Sequence, residues 1–247
     1  MADGANGASL GAYDTFPKLL MRNAKQFADR PAFRLKDLGI WQTWTWAQTA
    51  REVRQMAMGL HRLGVQRGDH VAIIGSNRPH LYWAFDAIEA LGAIPVPLYA
   101  DGVAEEMKFV LHHAEVRAAV CEDQEQIDKV LSIKDDIPSL EFLIYEDSRG
   151  MRHYDQPFVR RYLDVQEQGR EYGRANPGFF ETEIAKGAEE DMGILLYTSG
   201  TTGLPKGVAL SFGNLIFGGR FGADFHKLTP QDEALAYLPM AWVGDNL

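Results

Sequence analysis

A chain of 247 residues with 46% apolar and 24% charged side chains can bury one good core, and its formal net charge of −9 argues for solubility and against a broad nucleic-acid-binding surface. No run approaches the roughly 18 apolar residues of a membrane span, which leaves peripheral membrane contact open. Cys121 is the single cysteine, which excludes an internal disulfide and a thiol-rich metal site and fits a reducing, cytoplasmic location.

Met1–Gly11 is small and polar. It lacks the basic start and apolar stretch of a signal peptide, so residues 1–12 read as a flexible tail. Phe16, Leu19, Leu20 and Phe27 predict a helix over Thr15–Ala28 with one apolar side. Ala32–Leu35 and Ile40–Thr45 read as paired strands turned at Asp37-Leu38-Gly39. Thr45 and Gln48 form a capping box, and Trp46, Ala50, Val53, Ala57 and Leu60 recur beyond it at helical spacing. Val71–Gly75 is a short buried strand. Pro79 opens a helix that Gly92 ends. Strands at Ile94–Tyr99, Ala118–Cys121 and Phe142–Tyr145 alternate with helices at Ala104–Ala114 and Gln124–Leu131. This alternation predicts an α/β fold with a largely parallel sheet flanked by helices.

Residues 147–191 break the pattern. They are polar, with one amphipathic piece around Phe158, Tyr162 and Val165, and read as a surface excursion. The arginines there (149, 152, 160, 161, 170 and 174) are nearly balanced by Asp155, Asp164, Glu167 and Glu171, which favours a solvated face over an anion or partner site. Met192–Tyr197 and Val208–Leu210 then read as strands, and Ser211 as the N-cap of a helix through Phe225.

Between those two strands lies the most informative stretch, Tyr197-Thr198-Ser199-Gly200-Thr201-Thr202-Gly203-Leu204-Pro205-Lys206-Gly207. Glycines let backbone approach a ligand closely, and successive N–H groups in such turns form an anion-binding concavity. Thr198, Ser199, Thr201 and Thr202 add hydroxyl donors, and Lys206 adds a positive charge. Hydrogen bonds to charged groups contribute about 1.5–3 kcal/mol each, so the set can hold a polyphosphate. The nucleoside-triphosphatase P-loop is excluded. Aligned on Gly200, that pattern needs glycine at Pro205 and a hydroxyl at Gly207, and a helix instead of the apolar run Val208-Ala209-Leu210.

The stretch resembles the phosphate loop of the adenylate-forming (AMP-binding) superfamily, Thr-Ser-Gly-Thr-Thr-Gly-x-Pro-Lys-Gly, at every position. Gly68-Asp69-His70-Val71-Ala72, Ser76-Asn77-Arg78-Pro79, Gly92-Ala93-Ile94-Pro95-Val96-Pro97-Leu98-Tyr99 and Leu238-Pro239-Met240-Ala241-Trp242 are similar to further segments of acyl-CoA synthetases, with a lean toward the long-chain fatty acid branch. The resemblance runs from about Thr15 to the last residue. It implies that residues 13–247 are the first part of a large N-terminal AMP-binding domain, from an enzyme usually at least twice as long, with the C-terminal domain absent. It implies ATP, Mg2+ and CoA as cofactors and co-substrates, a carboxylic acid as the other substrate, and no nucleic-acid partner; oligomeric state is left open. Thr198, Ser199, Gly200, Thr201, Thr202, Gly203 and Lys206 would hold ATP, Lys206 would stabilise the phosphates and the leaving pyrophosphate, and Thr201 would help hold Mg2+. Trp242 and Gly244 would lie on the substrate side. Trp242 departs from the family, many members of which carry histidine at that place; an indole can line an apolar pocket but cannot act as a base.

Two rival readings stay open: a non-catalytic nucleotide-binding module, or an aryl or medium-chain acid–CoA ligase. His112, His113 and Glu115 invite a metal reading, but adjacent helical residues point about 100° apart and no ligand set is completed. Trp41, Trp44 and Trp46 suit core and interface packing better than a stacking array.

Overall fold

The computed structural model describes residues 11–198 and 205–246. The chain enters through α1 (Phe16–Gln26), where the Thr15 side chain accepts a hydrogen bond from the Lys18 amide. Strands β1 (Pro31–Asp37) and β2 (Ile40–Thr45) form an antiparallel hairpin. Its tip uses Leu38 at φ 46° and Gly39 at φ 83°, the left-handed pair a two-residue hairpin turn requires. The expected capping box is present at the start of α2 (Trp46–Arg62): the Thr45 side chain meets the Gln48 backbone, and the Gln48 side chain returns to Thr45.

The centre is a five-stranded sheet. It alternates β3 (His70–Ile74), α3 (Pro79–Ala90), β4 (Ile94–Leu98), α4 (Ala104–His113), β5 (Ala118–Cys121), α5 (Gln124–Ser132), β6 (Phe142–Tyr145) and β7 (Val159–Arg161). The strand order is β4-β3-β5-β6-β7 and every pairing is parallel. Both faces are covered, as parallel sheets demand. Val71, Ile73, Ala118, Val120 and Ile144 turn to a core shared with α2 and α3. Ala72, Ile74, Val96, Ala119, Cys121 and Leu143 turn to the opposite core, under α4 and α5. The predicted α/β architecture with a parallel sheet between helices is therefore observed.

Residues 147–191 correct an expectation. They are not a surface excursion. β7 completes the sheet, and α6 (Tyr162–Ala175) and α7 (Phe179–Ala185) follow it, with Tyr162, Val165 and Phe180 buried. The α2–α6 contact is close because glycines face it: a Cβ added to Gly59 would lie 2.2 Å from the Val165 carbonyl oxygen. Polar composition hid the one apolar stripe that packs. The flanking charges stay at the surface, where Arg149 pairs with Asp147 and Arg170 with Glu167.

The last unit is a hairpin and a helix: β8 (Met192–Thr198), β9 (Lys206–Ser211) and α8 (Phe212–His226). β8 and β9 pair antiparallel, and β8 lies against β4. Side chains of β8 alternate between the two cores, with Ile194 and Leu196 on the first and Leu195 and Tyr197 on the second. Ser211 caps α8, as its position predicts.

Candidate functional site

The hydroxyl-rich stretch joins β8 to β9 in sequence. The last described rung pairs Thr198 with Lys206 and the rung before it pairs Tyr197 with Gly207. Thr198 and Lys206 are both exposed. Ser199, Gly200, Thr201, Thr202 and Gly203 lie outside the described residues. The two described members of the set thus flank the mouth of the loop on neighbouring strands. Among the described residues no carboxylate lies within ion-pair distance of the Lys206 ammonium, so its charge faces solvent. An exposed cation paired in register with the hydroxyl-bearing Thr198 fits an anionic phosphate chain.

Gly207 has a packing reason as well. A Cβ there would sit 3.2 Å from Leu195 Cδ1 and 3.4 Å from Tyr197 Cζ. Its absence lets the Tyr197 ring lie against the β9 backbone. The same tyrosine also meets His113, whose Nδ1 is 2.7 Å from the Tyr197 hydroxyl. Burial raises the Tyr197 phenol above its ordinary range, so it stays protonated. Sequence reasoning missed this contact, because it weighed His113 only as a metal ligand; an aromatic hydroxyl immediately before the loop was the available signal.

The expected substrate-side residues lie on the segment after α8. Met240 and Ala241 are buried, while Trp242 is about half exposed at 51%. Trp242 adjoins Tyr99, the residue that follows β4. Burial works to raise the Tyr99 phenol, while a hydrogen bond with Trp242 works to lower it. A Cβ on Gly244 would meet Leu238 Cδ1 at 3.0 Å. The segment is fastened by polar side chains: Asn77 Nδ2 donates to the Leu238 carbonyl at 2.8 Å, the Tyr82 hydroxyl donates to Asp245 at 2.7 Å, and Asn246 Nδ2 donates to the Met240 and Trp242 carbonyls at 2.9 and 2.8 Å. Burial raises the Asp245 carboxyl, against the hydrogen bonds from Tyr82 and Asn77. These fasteners were not foreseen individually, although Asn77 falls within a segment carrying the family resemblance.

The strand order reverses at the carboxyl ends of β3 and β5, the usual ligand position in open α/β sheets. Here the protein's own groups pair with one another. Glu122 accepts from the Ser76 amide and hydroxyl, both at 2.7 Å, and from Arg78 Nε at 3.0 Å. Burial opposes ionisation of Glu122, but these donors outweigh it and hold the carboxyl below its ordinary value. These groups form a satisfied polar knot at the carboxyl ends of the two strands.

The family model described as AMP-binding enzyme matches residues 20–245. The chain is 29% identical over 242 residues to a long-chain-fatty-acid–CoA ligase, ACSBG2, of Rattus norvegicus, covering 94% of this chain and 35% of the relative. It is 30% identical to the Homo sapiens protein of the same name, covering 94% and 34%. With the Mycobacterium tuberculosis long-chain-fatty-acid–CoA ligase FadD15 it shares 28% over 239 residues, covering 95% and 38%. Among solved structures, the anthranilate CoA ligase AuaEII in complex with anthranoyl-AMP superposes with a TM-score of 0.73 at 25% identity, covering 87% of this chain and 38% of that one. The acetoacetyl-CoA synthetase of Streptomyces lividans shares the fold, with a TM-score of 0.76 at 24% identity, covering 94% and 36%. The chain spans about a third of the length of the curated relatives it matches.

Proposed function

We propose that this chain, which belongs to the AMP-binding enzyme family, is the phosphate-gripping part of an ATP-dependent acyl-CoA ligase acting on long-chain fatty acids. The observation that carries the reading is the β8–β9 hairpin, which pairs an exposed Thr198 with an exposed Lys206, the latter without an ion-pair partner among the described residues, at the two ends of the hydroxyl-rich stretch. The family match supports adenylate formation, and the long-chain ligases among the relatives favour the acid.

The proposed reaction has two halves. A carboxylate, ionised at neutral pH, attacks the α-phosphorus of ATP, giving acyl-adenylate and pyrophosphate. The CoA thiol then displaces AMP. Negative charge on the phosphate oxygens rises in the first half, where fixed donors and a cation act best. Lys206 would neutralise the departing pyrophosphate. Thr198, Ser199, Thr201 and Thr202 would donate hydroxyl hydrogen bonds, and Gly200 and Gly203 would let backbone N–H groups close on the phosphates. Mg2+ would add charge neutralisation there, and Thr201 offers it a hard oxygen ligand of the kind it prefers. Trp242, beside Tyr99 and close to the buried Met240, would give the acyl chain an apolar wall. Gly244 would keep the Trp242 segment tight against Leu238. No general base is needed at the carboxylate, so a tryptophan at position 242 is compatible with the chemistry.

The test is Lys206→Ala, made in a protein that carries these residues as its N-terminal part. Adenylation, read as ATP–pyrophosphate exchange, should fall about 100-fold, the scale of losing one charge-stabilising donor. Thioester formation from supplied acyl-adenylate should change little. Equal losses in both halves would count against the phosphate role. The 247-residue chain alone should show no exchange, and a panel of aryl, medium-chain and long-chain acids would decide the acid class.

A further inference from the structure

We propose that His113, in the last turn of α4, is a positioning residue for Thr198 and Lys206 at the end of the β8–β9 hairpin and acts through the Tyr197 hydroxyl; this deepens the phosphate-gripping reading and rests on it. His113 fixes the last described rungs of the hairpin.

Three observations converge on Tyr197. Its hydroxyl lies 2.7 Å from His113 Nδ1, and the two rings meet edge to face at 5.7 Å between centroids and 88° between planes. The imidazole plane is itself set by Phe109, one helical turn earlier, which stacks on it at 5.5 Å and 18°. The tyrosine also lies close to Gly207, its partner in the hairpin register, where an added Cβ would stand 3.5 Å from the hydroxyl oxygen. Tyr197 is therefore tied to an imidazole that is itself stacked on Phe109, and it lies close to a strand position with no side chain.

The place of this grip gives it a function. Tyr197–Gly207 is the penultimate described rung, and Thr198–Lys206, carrying the exposed hydroxyl and ammonium, is the next. Among the described residues β8 and β9 form a sheet of two strands, and isolated two-stranded hairpins are marginal. The end of the hairpin gains a polar tie to α4, a helix of the covered parallel-sheet unit. A tie there limits the freedom of Thr198 and Lys206 before any ligand arrives, and such preorganisation is what a phosphate grip needs. The phenol suits the role because it remains a neutral hydroxyl.

Hydrogen exchange on the purified 247-residue chain reads the tie without any enzymatic activity. His113→Leu and Tyr197→Phe should each speed exchange of the β8–β9 amides near Thr198 and Lys206 about tenfold. The double variant should do no more than either single one, the signature of a shared interaction. His113→Asn, which keeps a polar group near the place of Nδ1, should restore protection, and β3 and β5 should stay as protected as before. Exchange rising equally in β3 and β5, additive effects, or no rescue by asparagine would overturn the tie. Magnesium pyrophosphate is the ligand probe: its affinity for the chain should weaken about tenfold in His113→Leu and recover in His113→Asn. A tie that holds while pyrophosphate affinity is unmoved would overturn the positioning role. Lys206→Ala separates the two claims: if it leaves pyrophosphate affinity intact, or if the unaltered chain binds no pyrophosphate, the phosphate-gripping reading fails and the positioning role falls with it, whatever His113 does to exchange.

Discussion

The parallel sheet and the β8–β9 hairpin use similar apolar strands and treat them in opposite ways. Every residue of β4 and β5 is buried, and so are Val71 to Ile74 of β3. In β9 the residues from Lys206 to Ala209 are all exposed, whichever face they point to. Helix α8 sharpens the contrast: Phe217, Phe221 and Phe225 recur every four residues at 68%, 67% and 73% exposure. The sheet unit converts apolar sequence into packing. The hairpin unit, to which we assign the phosphate grip, stands on a thinner support, with contacts such as His113 with Tyr197 and its seat beside β4 to hold it.

The largest effect that would break this contrast belongs to the sheet unit. A Cβ on Gly169 of α6 would lie 1.8 Å from the Gln55 carbonyl oxygen and 2.5 Å from the Gly59 amide nitrogen of α2. Both are backbone atoms, so no side chain can swing away and the helices must part. Overpacking of this kind typically costs about 1–3 kcal/mol and sometimes more, so Gly169→Ala is expected to lose about 3 kcal/mol in urea unfolding. A loss under about 0.5 kcal/mol would mean that α6 is held loosely and that the sheet unit is less tightly built than the geometry says.

That same contact marks the boundary of what the sequence made legible. Strand and helix alternation from Val71 to Tyr145 was readable because β-branched runs and helical spacing are local signals, and the observed elements differ by a residue or two at their ends. The family was readable because the segments that carry the resemblance are short, contiguous runs of sequence. The α6 packing was not, because Tyr162, Val165 and Gly169 sit among charges and meet α2 across roughly a hundred residues of chain. Trp41 was grouped with Trp44 and Trp46 as packing residues. Trp44 does pack, at 5.4 Å from the Trp83 ring, but Trp41 is 61% exposed at the hairpin end. His113 illustrates the remaining gap: its partner is distant in sequence, so only coordinates could assign its hydrogen bond.

The next effect is a pH dependence confined to α3, a helix buried in the sheet unit. Burial pushes Asp86 up to about 7. Burial raises Glu89 well above its ordinary value too, helped by the charge of Asp86, and neither Glu89 oxygen has a hydrogen-bond partner among the described residues. Between pH 4 and 7 the folded protein therefore holds protons that the unfolded chain has released. Stability is then full below the unfolded carboxylate values and falls as pH rises through about 7. Asp86→Asn removes one titration and relieves Glu89, so it should be near neutral at pH 4 and stabilising by about 1–3 kcal/mol at pH 8. Thermal unfolding at the two pH values reads the difference. A benefit equal at both would show that burial of the carboxylates is not the cause.

The smallest effect tests the other side of the comparison. Gly222 lies inside α8, and a Cβ placed there meets nothing within 4 Å. Glycine in a helix interior is destabilising by about 0.5–1 kcal/mol relative to alanine. With open space around it, Gly222→Ala should return that amount, read as a raised midpoint in urea with an unchanged slope. The sign separates the two regions: the same Gly→Ala change destabilises at Gly169, where backbone faces backbone, and stabilises at Gly222, where the helix surface is bare. A loss at Gly222 would show that this face is covered in solution. Dependence of that loss on protein concentration would identify the cover as a second copy lying across the Phe217, Phe221 and Phe225 stripe.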